Sequence, residues 1–429
     1  MKLIYLAFLV VAVLTAFPVS AFGQNGAAGH WEGVMRRGLS TLTIAIDLDT
    51  GRPTRGFFTA GDLGAMDIPI ANIGLDGSAS WDLIGDRSTV RFNGLRDGDS
   101  IRGTTIENDI AGTFQLHRVS TSIEKPYTVT EVHFISGGIT LAGSILSPKS
   151  QGKHRGVVFL HGSGPEGRWA SRFTADYLAR HGIVALIYDK RGVGDSTGDW
   201  RTSTLEDLAA DGRAAVHLLS QRSDVRRDGI GLFGHSQGGF IAPYVALNNP
   251  EVHWIINADG NVGPQYKQDL FRVETTLKSS YSGVDLRDAV ALYREFVDVA
   301  RNSLPHDQLN SDKDRFGKAP WFGDLGLPDD QSWIWAWYAR VGNDDNSTAW
   351  RTIKAPVMLL YGGNDMVVPP QESIDAISRL LRAGHNPRVT VQVLAGADHS
   401  LRLAPDDPHG WPHYAAGYPA LLSRWISKQ

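Results

Sequence analysis

The spacing of apolar side chains changes character partway along this chain. From about Gly29 to Arg118 apolar and polar residues alternate in short runs, of which Leu42-Thr43-Ile44-Ala45-Ile46-Asp47-Leu48 is the clearest. Val90-Arg91-Phe92, Ile101 to Ile106 and Gly112 to Leu116 keep the same period of two. Turn residues separate the runs at Asp49-Thr50-Gly51, Asp76-Gly77, Asp97-Gly98 and Glu107-Asn108-Asp109. This pattern predicts half-buried antiparallel strands, and their regular spacing predicts a small β barrel or sandwich over residues 22–119. Trp31 and Trp81 are expected in or around a filled core, with a ligand-holding calyx as the alternative.

After a linker at residues 120–126, the pattern predicts a hairpin from Tyr127 to Phe134 and Ile139 to Leu146, turned by Ser136-Gly137-Gly138. Beyond it the apolar runs become continuous. Val157 to Leu160, Ile183 to Ile187, Ile230 to Phe233, Trp254 to Ile256, Pro356 to Tyr361 and Val389 to Leu394 read as central strands covered on both faces. Helical stretches fall between them at Ala170 to Arg180, Leu205 to Leu219, Phe240 to Asn248 and Gln371 to Arg382, with a last one from Tyr414 to Ile426. Strand and helix in alternation predict an α/β fold over residues 127–429, built on a doubly wound, mostly parallel sheet. Residues of about 261–352 break the rhythm: they hold helices and a tryptophan-rich stretch but no central strand. An insertion there, after the sixth strand, is expected to cap the C-terminal edge of the sheet. Trp321, Trp333, Trp335, Trp337 and Trp350 are expected chiefly to dock that cap onto the core. An aromatic substrate pocket is the other reading.

Composition narrows the function. The 429 residues carry a formal net charge of −4, which gives no support for a nucleic-acid or anionic-membrane partner. The chain has no cysteine, so disulfides, thiolate catalysis and cysteine metal sites are excluded. Lys2, the apolar run Leu3 to Phe17 and the small residues Val19-Ser20-Ala21 predict a signal peptide at residues 1–21. An uncleaved anchor is the alternative, but the run is short for a span and stops at Pro18. The expectation is an exported protein, periplasmic or extracellular, without stable membrane insertion after cleavage.

Gly234-His235-Ser236-Gln237-Gly238 lies between a buried strand and a helix. A serine on such a turn has its hydroxyl held at the sheet edge, and the flanking glycines permit the close approach of strand and helix. Gly194-Asp195-Ser196-Thr197-Gly198 matches the same pattern, yet Ser196 is surrounded by loop and is expected in a surface turn. Acyl transfer by serine also needs a base, an orienting acid and donors for the oxyanion. His399 follows the last strand directly, whereas His409 and His413 lie in a later loop and His385 lies at the wrong end of that strand. Asp365 sits after the strand Val357 to Tyr361 and is preferred to Asp398, the sequence neighbour of His399. The expected oxyanion donors are the amides of Gln237 and Ser163, with Gly164 as the fallback for the second.

Five segments, in order, carry a family resemblance: His161-Gly162-Ser163-Gly164-Pro165, Asp189 to Ser196, Gly234 to Gly239, Gly362-Gly363-Asn364-Asp365 with Pro369, and Ala397-Asp398-His399. On these, residues 125–429 resemble a secreted bacterial α/β-hydrolase of the carboxylesterase type, in the broad group that includes prolyl oligopeptidase-like and acyl thioesterase-like enzymes. The N-terminal β region resembles accessory domains of similar hydrolases more loosely. The resemblance implies an exported serine hydrolase that cleaves a small-molecule ester through Ser236, His399 and Asp365, with no cofactor or metal. A peptidase of the prolyl oligopeptidase type is the second reading, although residues 22–119 are too few for the propeller those enzymes carry. An acyl thioesterase comes third and a non-enzymatic binding protein last. Acyl length, alcohol group and oligomeric state stay open.

Overall fold

A computed structural model describes residues 26–52, 54–75, 78–84, 88–120 and 124–429. The expected signal peptide, the turn at Asp76-Gly77 and part of the expected linker lie outside the described residues. Among the described residues no helix is long and apolar enough to cross a membrane.

The first unit is a single antiparallel sheet of nine strands: β1 (Gly29–Arg37), β2 (Ser40–Asp49), β3 (Arg55–Ala60), β4 (Ala65–Pro69), β5 (Ala71–Gly74), β6 (Ala79–Ile84), β7 (Thr89–Asp97), β8 (Ser100–Glu107) and β9 (Ile110–Val119). Their order across the sheet is β4-β3-β2-β1-β9-β8-β7-β6-β5. The two edge strands are consecutive in the chain with only Ile70 between them, so the sheet rolls up and its edges meet at that corner. Alternate side chains of β2 are buried, as the period of two requires. The interior is filled. Trp31, Trp81, Phe58, Phe92 and Phe114 are buried, and Phe92 packs on Trp81 and Phe114 at centroid distances of 5.2 and 5.3 Å.

The second unit is a mixed sheet of eight strands: β10 (Tyr127–Ser136), β11 (Ile139–Pro148), β12 (His154–Leu160), β13 (Ile183–Tyr188), β14 (Val225–His235), β15 (Trp254–Ala258), β16 (Val357–Gly362) and β17 (Val389–Leu394). The order is β10-β11-β13-β12-β14-β15-β16-β17, antiparallel at β10–β11 and β11–β13 and parallel across the remaining pairs. Gly137 and Gly138 both have positive φ, 55° and 83°, which is why the two-residue hairpin turn takes glycine twice. Helices α1 (Arg172–Arg180), α2 (Leu205–Ser220), α3 (Gln237–Ala246), α9 (Pro370–Ala383) and α10 (Tyr418–Ile426) cover the sheet. Between β15 and β16 come α4 (Gln265–Lys278), α5 (Gly283–Asn302), α6 (Asp307–Phe316), α7 (Trp333–Val341) and α8 (Ser347–Thr352). The first four of these share their own apolar cluster around Phe296, Trp321 and Tyr338. This is an α/β-hydrolase sheet with a helical insertion, preceded by an antiparallel β domain.

Three local readings need correction. β17 is an edge strand, with no strand on its outer side among the described residues, and the exposed Val391 and Val393 show that one of its faces is not covered. The last helix starts at Tyr418 rather than Tyr414, since His413 and Tyr414 pair with Arg402 and Leu403 in a short hairpin. Ser196 is buried rather than on the surface, held by a bond from the Ala142 amide and one to the Asp189 carbonyl.

The two units dock through the chain that follows His399. Arg37 Nη2 donates to the Gly410 carbonyl at 2.9 Å while its guanidinium stacks 4.4 Å over Trp411, a buried ring that completes the β-domain core. Asp407 accepts from the Leu39 amide and the Ser40 hydroxyl. Arg172 reaches Asp67 at 2.8 Å. Truncating Trp411 opens a cavity at this seam, so Trp411→Ala should cost about 3 kcal/mol or more in a denaturant unfolding titration. An unchanged midpoint would show that the seam adds no stability.

Candidate active site

β14 runs straight into the turn that carries Ser236, and α3 begins at the next residue. Ser236 has φ 54° and ψ −117°, a sterically unfavourable conformation for a residue with a Cβ. Packing enforces it. A Cβ on Gly234 would lie 2.3 Å from the Gly238 carbonyl oxygen, and one on Gly238 would lie 2.2 Å from the Leu160 carbonyl oxygen. Strand and helix therefore meet backbone to backbone, and the serine is forced outward at the sheet's C-terminal edge. Its amide donates to the Ala258 carbonyl at 2.9 Å.

The loops after β16 and β17 bring Asp365 and His399 to the same edge. His399 Nε2 lies 2.9 Å from Ser236 Oγ, and Nδ1 lies 2.7 Å from Asp365 Oδ2. A carboxylate only accepts, so Nδ1 carries the proton and Nε2 is free to receive one from the serine hydroxyl. The Asp365 side chain is wholly buried, and its Oδ1 accepts from the Val367 and Val368 amides at 2.7 and 2.9 Å. Asp398 instead ties its own turn, accepting from the Ser400 and Arg402 amides. His409 gives its backbone carbonyl to Arg37, His413 lies in the short hairpin, and His385 precedes β17. None of these three meets Ser236.

Gln237, as the first residue of α3, has an amide that no carbonyl of its own helix can take. It shares a cavity of about 440 Å³ with Ser163 and Gly164, beneath the cap. The loop that holds Ser163 is fastened by Lys190, a residue the sequence reading passed over. Its buried Nζ donates to the Gly162 carbonyl at 2.8 Å, the Gly164 carbonyl at 3.0 Å and Gln237 Oε1 at 2.8 Å. Burial pushes this amine down to about 8, against the pull of Glu166. Glu166 secures the other side of the loop by accepting from the Gly162 amide at 2.7 Å. Below it, burial pushes His161 down to about 4, so the ring is neutral and donates to the Tyr188 carbonyl.

A second carboxyl was also missed. Asp259 follows β15 at the same sheet edge, fully buried, with Oδ1 accepting from the Gly362 amide at 2.9 Å. Burial, then the charge of Asp365, raise it well above the usual carboxylate range. A fully buried carboxyl beside a second one is disfavoured as an anion, so Asp259 is the protonated partner. A carboxylate directly after a parallel strand was the sequence signal available for it. Among the described residues His235, Asp259 and His399 also form one group of potential metal ligands, with atoms within 4.8 Å of one another. Both ring nitrogens of His399 are already committed to Ser236 and Asp365, and His235 Nε2 to the His399 carbonyl.

The five tryptophans divide by role. Trp321 is buried in the cap cluster and Trp350 in the main core, as docking residues should be. Trp333 and Trp337, four residues apart on α7, line the cavity, and Trp333 meets Trp200 edge-on at 5.0 Å. Trp335 points elsewhere, onto Phe296 and His306. A larger open groove of about 900 Å³ runs along α5 and touches none of the residues that surround Ser236.

Two outcomes follow. Lys190 loses its proton as pH rises through about 8, leaving two N–H donors for three acceptors, so turnover should fall on that side with a midpoint near 8. Lys190→Met should remove that limb and lower kcat by about a hundredfold, the scale of a misplaced oxyanion donor; a pH–rate profile identical to wild type would rule the role out. Asp365→Asn should cost about 10⁴-fold in kcat, whereas Asp259→Asn, which replaces one neutral group by another, should cost less than about tenfold. Equal losses in steady-state assays would mean that Asp259 carries charge.

Parts of the chain are similar to known proteins. A family model described as serine aminopeptidase, S33, matches residues 151–406. Esterase EstD of Thermotoga maritima is 31% identical over 150 residues, which span 33% of this chain and 36% of that protein. Thiohydrolase aneE of Aspergillus aculeatus is 22% identical over 265 residues, 59% of this chain and 82% of its own. Of solved structures, the Pyrococcus furiosus esterase Pf2001 covers 72% of this chain and 93% of its own, at 17% identity and a TM-score of 0.46. The family match takes in well over half of the chain, including Ser236, Asp365 and His399, and the chain belongs to the serine aminopeptidase S33 family of hydrolases.

Proposed function

We propose that the protein is an exported serine hydrolase that cleaves small carboxylic esters through an acyl-enzyme. The observation that carries this reading is the continuous relay from Ser236 Oγ through the His399 ring to Asp365, at 2.9 and 2.7 Å. In the proposed reaction Ser236 attacks the ester carbonyl carbon while His399 Nε2 takes the hydroxyl proton. The resulting imidazolium is held by Asp365. The amides of Gln237 and Ser163 receive the oxyanion, and Lys190 fixes the spacing between them. His399 then gives its proton to the leaving alkoxide. A water molecule, deprotonated by the same ring, attacks the acyl-enzyme and releases the acid. Chemistry of this kind needs no metal or cofactor.

A named esterase and a named thiohydrolase among the relatives agree with acyl transfer to water. Export rests on the N-terminal sequence alone. The family's name raises the aminopeptidase reading, which needs an acceptor for a peptide's ammonium group. In the cavity Asp269 is filled by four donors from Arg272, Tyr293 and Tyr338, which leaves only the exposed Asp324. This favours ester over peptide.

Ser236→Ala should lower hydrolysis of p-nitrophenyl acetate or butyrate by about four orders of magnitude or more. Retained turnover would show another nucleophile. Ester, thioester and aminoacyl-anilide substrates measured side by side should rank the ester highest; an anilide preference would return the chain to the peptidases.

A further inference from the structure

The cavity above Gln237 and Ser163 has a floor supplied by the hydrolase core and a roof supplied by the cap. Most of that roof is apolar, with Phe296, Leu325, Pro328, Ile334 and the two tryptophans of α7. One polar cluster interrupts it. Asp269 and Arg272 sit three residues apart on α4, on one face of the helix. Asp269 Oδ1 accepts from Arg272 Nε and Nη2 at 2.8 and 2.6 Å, and Oδ2 accepts from the hydroxyls of Tyr293 and Tyr338. A carboxylate has about four acceptor positions, so Asp269 is saturated.

The guanidinium is not. Its Nε and Nη2 are spent on Asp269 and Tyr293, while Nη1 bonds to none of the described residues and is not sealed from solvent. Asp269 thus holds the arginine in place, and Arg272 lines a concave space together with aromatic and aliphatic side chains. The other charges around the cavity are the exposed Asp324, which accepts from Tyr281, and Lys190 beneath the floor, 5.4 Å from the Trp200 ring and already bonded to three acceptors. Arg272 is therefore the cation in the cavity wall with donors to spare.

From this we infer that Arg272 is a specificity residue: the enzyme selects esters whose non-reacting end carries an acceptor oxygen, a carbonyl or a carboxylate, on an apolar or aromatic frame. The inference rests on the ester reading above and adds to it the class of substrate. A volume of about 440 Å³ suits a small molecule rather than a polymer. A substrate that lacks the oxygen displaces water from the guanidinium without replacing its hydrogen bond, and that loss is what discriminates.

The test compares p-nitrophenyl esters of plain fatty acids with those of ω-carboxy acids and their methyl esters, four to eight carbons long. A second series places the same groups on the alcohol side. Wild type should favour the oxygen-bearing members of at least one series by about tenfold or more in kcat/KM, the scale of one hydrogen bond to a charged donor. Arg272→Met should abolish that preference. Arg272→Lys, which keeps the ion pair with Asp269 but loses the planar fork, should lose most of it, and decides the matter if the methionine variant fails to fold by thermal melting. Preference for the free acid over its methyl ester would identify a carboxylate ligand; equal rates would identify a carbonyl. Turnover of all esters without preference, or a preference that survives in both variants, would overturn the inference and leave the ester reading standing. No turnover of any ester by the folded wild type would sink both.

Discussion

Backbone contact between β14, β12 and α3 is the constraint from which the site follows. Gly234 and Gly238 let these elements approach to distances that a Cβ would forbid, and the turn between them then has room for only one unfavourable conformation, which Ser236 takes. The strain is small beside the apolar area buried by the sheet and its helices, and the fold tolerates it. Everything else at the site is arranged around a hydroxyl whose position is fixed before any substrate arrives. Asp365 and His399 need only descend from neighbouring strand ends to reach it.

Around this centre the charges are matched to their burial. Asp365 has two backbone amides and the His399 ring, whereas burial holds its neighbour Asp259 neutral. Lys190 is an ammonium spent entirely on two carbonyls and an amide oxygen, which turns a glycine-rich loop into a fixed wall. The β domain bears on the same region from outside. Arg37, Ser40 and the cavity filled by Trp411 hold the chain between His399 and α10, so the domain joins the structure at the segment most able to disturb the histidine.

Much of this could be read from the sequence, for physical reasons. The period of two in Leu42 to Leu48 and the continuous apolar runs of β12 to β16 report burial on one face and on two, and the sheets follow. Ser236 was legible from its strand–turn–helix setting, and Asp365 and His399 from short loops that follow strands in the chain order nucleophile, acid, histidine. Lys190 and Asp259 were not. A buried charge looks like any surface charge until its partners are known, and their partners lie 26 to 106 residues away. The edge position of β17 was equally hidden, because Val391 and Val393 carry the side chains of a buried strand without being covered. Ser196 shows the reverse case: loop composition suggested exposure, but bonds to β11 bury it.

The central claim is that the Ser236 hydroxyl is activated by His399. A fluorophosphonate probe tests it directly, because it bonds only to a serine whose proton is being removed and whose oxyanion is being held. Intact and peptide mass spectrometry should find one adduct per chain, on the peptide that contains Ser236, and labelling should slow at least a hundredfold in His399→Ala. A folded protein that stays unlabelled, carries the adduct elsewhere or labels equally fast without the histidine would contradict the account.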